Sequence, residues 1–102
     1  MTKPADNSVV AQVANVGAAE TNRAIDAAAA ALPAWRALTA KARAAILQRW
    51  YPLIIENQAP LAQLVVQEQG KVLAEARGEV LYAASFIGWF AEECKRANRQ
   101  TF

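Results

Sequence analysis

The most hydrophobic part of the chain is the stretch VLYAASFIGWFA at residues 80–91, in which Ser85 is the one ordinary polar residue. Its spacing predicts a final helix from about Val72 into the nineties. Other large side chains cover much of the remaining circumference, and a helix that is apolar nearly all round is normally buried all round. The segment therefore indicates contact with further protein. One predicted apolar face consists of Val80, Ala83, Ala84, Ile87, Phe90 and Ala91.

A first helix is predicted from about residue 18 to 32. Gly17 followed by Glu20 is a plausible start, because glycine is tolerated at the cap and an acid suits the first turn. Pro33 ends or kinks this helix, since proline lacks the backbone donor that a helix interior needs. The residues that share the apolar face of this helix are Ile25, Ala28, Ala29, Leu32 and Trp35.

Two more helices are predicted between the first and the last. Thr39 offers a hydroxyl cap for a helix that begins near Ala40, and Pro52 predicts a bend or a break in it. Pro60 is well placed at the first position of a third, short helix, which Gly70 closes as a left-handed cap.

The N-terminal sixteen residues predict an extended arm, and only Ser8–Ala14 has the alternating pattern of a short strand. We therefore expect a mainly α fold of three or four helices with a short N-terminal strand or extended arm. The organisation is a single helical module over residues 1–102, with the arm at 1–16 and the helices at 17–102.

The last helix carries more apolar surface than two short helices can wrap. We expect copies of the chain to associate as an intertwined helical oligomer, a symmetric dimer or larger. The predicted interface residues are Leu81, Phe86, Trp89 and Phe90.

Composition and charge narrow the class of function. A net charge of +2 does not indicate a nucleic-acid partner. Lys95, Arg96 and Arg99 cluster where cations favour the negative end of a helix. One cysteine and no histidine exclude an internal disulfide and argue against a zinc site. The apolar stretch is too short for a membrane span and no signal peptide is visible, so we expect a cytoplasmic protein.

No residue of the chain is predicted to be catalytic, cofactor-binding or metal-binding. Cys94 has Lys95 and Arg96 beside it, but we interpret it as an unreactive, partly buried thiol because activation needs a specific electropositive site. The four glycines form no dinucleotide fingerprint, and Gly70 with Lys71 lacks the spacing of a P-loop. Aromatic residues at helical spacing are typical of a core or an interface more than of a ligand pocket.

Several motifs resemble the N-terminal helical region of the aldehyde dehydrogenase superfamily and, within it, bacterial succinate-semialdehyde dehydrogenases. They are AIDAAAAALPAWR at 24–36, the E-x-G-K of Glu68 to Lys71, EARGEV at 75–80 and YAASFIGWFAEE at 82–93, in family order and spacing. The arm sequence KPADNSVVAQV is similar to the opening turn and strand of that family. The resemblance covers essentially the whole chain.

The resemblance implies a parent enzyme that uses NAD or NADP, with a cysteine nucleophile and a glutamate base downstream of the matched region. The chain stops before those groups, so we expect a truncated segment that is non-catalytic by itself and self-associates. Two alternatives stay open: a regulatory or complementing subunit that docks on a full-length aldehyde dehydrogenase, and a surviving activity such as dinucleotide binding.

Overall fold

The computed structural model describes residues 1–96, which form four α-helices after an N-terminal arm. The fold is mainly α, as predicted, and the last helix is the longest. Predictions that involve Arg99 lie outside the described residues. The helices are α1 (Ala18–Ala37), α2 (Ala40–Glu56), α3 (Gln58–Gln69) and α4 (Leu73–Arg96).

Three helix ends predicted from local sequence signals are confirmed, at Gly17, Thr39 and Gly70. The N–H of Gly17 donates to Glu20 Oε2 at 3.0 Å at the start of α1. Thr39 Oγ1 accepts the N–H of Ala42 at 3.1 Å and caps α2. Gly70 follows α3 with a φ of 73°, a left-handed conformation that costs glycine little. These ends depend on contacts within one turn, so the sequence alone specifies them.

The predicted effects of the prolines are partly wrong. α1 continues through Pro33 to Ala37, past the end predicted at residue 32. This helix is exposed, so water can bind the carbonyl that proline leaves without a donor. α2 likewise continues through Pro52, so the predicted break is absent. α3 begins at Gln58, two positions before Pro60, where the first turn still needs no backbone donor.

The N-terminal arm folds back on itself in a short turn. Of the strand predicted over Ser8–Ala14, Val9 forms an isolated antiparallel bridge with Thr2. Beside it, the N–H of Lys3 donates to the carbonyl oxygen of Ser8 at 2.9 Å and the N–H of Val10 to that of Met1 at 3.0 Å. Both the hydroxyl and the N–H of Ser8 donate to Asp6 Oδ1, at 2.7 and 2.9 Å. These hydrogen bonds stabilise the carboxylate and lower the pKa of Asp6 below its ordinary value.

The core lies where α4 packs against α2 and α3, and it is built almost entirely of alanine. Within residues 1–96 no large side chain is fully buried. Small side chains let the helices approach closely, but each removes little apolar area from water. The large hydrophobic side chains therefore stay at the surface. The buried residues are Ala40, Ala44, Ala62, Ala76, Val80, Ala84 and Ala91.

α1 contributes nothing to this core. None of its twenty residues is buried, and Ile25, Leu32 and Trp35 on its apolar face are 60%, 50% and 38% exposed. Its link to the other helices includes a weak hydrogen bond from Arg43 Nη1 to the carbonyl oxygen of Arg36 at 3.5 Å. α1 therefore projects from the core formed by α2, α3 and α4. The described molecule is elongated, with dimensions of 58 × 37 × 19 Å.

Candidate functional site

A row of aromatic side chains lies exposed on the outer face of α4. Tyr82, Phe86, Trp89 and Phe90, which we call the α4 aromatic patch, are 68%, 47%, 62% and 57% exposed. The rings of Tyr82 and Phe86 meet edge to face, with centroids 4.9 Å apart. With Ser85 the four rings line a shallow depression of about 440 Å³. So many exposed rings side by side are typical of a protein interaction surface.

The predicted interface residues do not all lie on this patch. Phe86, Trp89 and Phe90 are brought together, whereas Leu81, although 45% exposed, is about 140° round the helix from Phe86 at 3.6 residues per turn. Phe90 was also grouped with Val80 on one apolar face, but the structure separates them, since Val80 is buried and Phe90 is exposed. Whether the patch forms an interface stays a prediction.

A second depression adjoins the patch at the C-terminal end of α4. It is a groove of about 580 Å³ between the end of α1, α2 and α4. Phe90 belongs to both depressions, so the apolar surface is continuous from one to the other. The groove is lined by Trp35, Arg43, Leu47, Phe90, Glu93, Cys94 and Arg96.

Charged residues frame the patch at both ends of α4. Glu75 lies in the first turn, and Lys95 and Arg96 lie in the last. Glu79 forms an ion pair with Lys71. Arg96 Nη1 lies 3.2 Å from Glu93 Oε1 on the preceding turn. Acidic charge at the N-terminus of a helix and basic charge at its C-terminus both favour the helix dipole.

Cys94 is the cysteine of the chain and lies at the contact between α2 and α4. It is half-buried, as predicted. Its Sγ donates to the carbonyl oxygen of Ala91 at 3.3 Å and, more weakly, to that of Ala40 at 3.6 Å. These are contacts of a packing residue. The prediction that the thiol is unreactive stays untested.

The glycines of the described residues do not form a cradle for a dinucleotide. Such a site needs a glycine-rich turn that joins a strand to a helix N-terminus. Gly70 instead ends α3, and Gly78 and Gly88 lie inside α4. Residues 1–96 also contain no cluster of three or more side chains suited to a metal ion.

Two features of the surface were missed from the sequence. Tyr82 belongs to the patch, and its spacing of four and eight residues from Phe86 and Phe90 was a signal that these three share a face. The sequence predicted the apolar face of α1 but not that this face stays exposed. The local pattern of residues is the same for a packed helix and for an unpacked one. Among the described residues, no helix is long and apolar enough to cross a membrane.

Comparison with protein families gives a match over the full chain. The model of the aldehyde dehydrogenase family matches residues 1–102. Over 96 residues the chain is 64% identical to a glutarate-semialdehyde dehydrogenase of Pseudomonas putida. It is 60% identical over 96 residues to a succinate-semialdehyde dehydrogenase [NADP(+)] of Escherichia coli K12. Each match covers 94% of this chain and 20% of the relative, so the chain spans about a fifth of the length of these relatives.

Solved structures give the same result for the fold. A crystal structure of an aldehyde dehydrogenase from Brucella melitensis biovar abortus 2308 superposes with a TM-score of 0.89 at 59% identity. A succinate-semialdehyde dehydrogenase from Burkholderia pseudomallei superposes with a TM-score of 0.88 at 58% identity. Both matches cover 93% of this chain and 20% of the solved chain. The arrangement of the helices, including the projecting α1, is therefore similar to that in these enzymes.

Proposed function

The chain belongs to the aldehyde dehydrogenase family, and from that premise we propose that it is a helical segment that acts by packing against protein and is not catalytic by itself. The observation that carries this proposal is the α4 aromatic patch. Four large rings are exposed beside a core of alanine, so their apolar surface is available to a partner. Burial of each ring would stabilise the segment by about 1.5–3 kcal/mol, which is large compared with what burial of an alanine contributes.

The contacts of the candidate chemical groups support a non-catalytic role. Oxidation of an aldehyde in this family requires a thiolate nucleophile, a carboxylate base and a bound dinucleotide. Cys94 is engaged as a donor to backbone carbonyls. Glu92 and Glu93 form ion pairs with Lys95 and Arg96 one turn further along α4. Each group serves the packing or the charge of the helix.

For a dehydrogenase that contains this segment, we propose oxidation of a short aldehyde that carries a carboxylate at its other end, with NAD or NADP as the oxidant. The support is the activity named for the relatives that are 64% and 60% identical, which act on glutarate and succinate semialdehydes. The residues of this chain supply the helices of such an enzyme and leave the chemistry to other parts of it.

An assay of the chain alone tests the non-catalytic part of the proposal. The purified chain is incubated with succinate or glutarate semialdehyde and with NAD or NADP, and reduced cofactor is followed by absorbance. We expect no turnover, and no heat of binding in calorimetric titrations with either dinucleotide. Turnover that is lost in the Cys94→Ala variant, or saturable binding of a dinucleotide, would show that the chain has an activity of its own.

A second candidate function is that of a complementing subunit that docks on an aldehyde dehydrogenase. The observation that favours it is the TM-score of 0.89, because a segment with the helix arrangement of the enzyme can occupy the corresponding position. The test mixes this chain with the Escherichia coli relative from which the matching segment has been removed. Recovery of semialdehyde oxidation by the chain, and not by a Trp89→Asp variant, is the outcome expected of this function.

A further inference from the structure

We draw no further inference here: the strongest candidate, the continuous apolar surface that the α4 aromatic patch forms with the groove between the end of α1, α2 and α4, has no partner among the described residues, and nothing in the structure shows what covers it.

Discussion

Gly88 illustrates how single residues determine the packing of this chain. It lies on the inner side of α4, where a Cβ would be 3.3 Å from the ring carbons of Tyr51 on α2. The absence of a side chain lets the tyrosine ring pack against the backbone of α4. Gly78 is in the same helix, and a Cβ there would have no atom within 4 Å. The two glycines have the same helix propensity, but only Gly88 allows a close contact with another helix.

We predict that Gly88→Val destabilises the chain by about 1–3 kcal/mol more than Gly78→Val does. Both substitutions make the same change in helix propensity, so the difference reports the clash with Tyr51. Urea unfolding followed by circular dichroism measures both free energies. Combining each with Tyr51→Ala should remove the difference, and equal effects of the two valines would contradict the assigned contact.

At the scale of the element, the helices end where local hydrogen bonds satisfy their free backbone groups. Thr39 caps α2 through its hydroxyl oxygen, and Asn57 ends the same helix with its side-chain Nδ2 donating to the carbonyl oxygen of Leu53 at 2.7 Å. Pro33 does not end α1, because water can bind the carbonyl that it leaves without a donor, and Pro52 does not end α2, because the packing of α2 outweighs one lost hydrogen bond. A bend at Pro52 stays a prediction.

We predict that Thr39→Ala lowers the free energy of unfolding by about 1 kcal/mol, because the N–H of Ala42 then loses its acceptor at the helix start. Thr39→Ser keeps a hydroxyl and should lower the free energy of unfolding by only about a few tenths of a kcal/mol. Denaturant unfolding of the two variants checks this. If serine and alanine are equally destabilising, the methyl group and not the cap is responsible.

At the scale of the whole molecule, the chain has a thin core and a large apolar surface. α2, α3 and α4 pack through alanines, whereas α1 projects from them with no buried residue. Most helical stability in proteins comes from packing of an apolar face, and α1 has no such packing within residues 1–96. α1 is therefore expected to be the least stable of the four helices until a partner covers it.

Hydrogen exchange checks this expectation. We predict that backbone amides of α1 exchange at least about a hundredfold faster than those in the centre of α4, because they open without unfolding of the core. Mass spectrometry of peptides from each helix gives both rates in one experiment, so α4 is the internal control. Equal protection would mean that α1 is covered in solution and would contradict this prediction.

The sequence determined the features that depend on neighbours within one or two turns. These are the mainly α fold, the caps at Gly17, Thr39 and Gly70, the long final helix and the family motifs. The helices and their caps depend on contacts between residues that are close together in the sequence. The excess of apolar surface on the final helix was also visible, because composition alone shows that a short chain cannot cover it.

Only the tertiary structure decided which side of each helix is buried. Periodicity grouped Phe90 with Val80, yet α4 buries the side that carries Ala84 and Gly88, because small residues let α2 approach closely. That choice left the four rings of the patch outside and separated Leu81 from them. Likewise, no local signal placed α1 away from the core. Burial depends on residues far apart in the chain, and a helical pattern cannot report them.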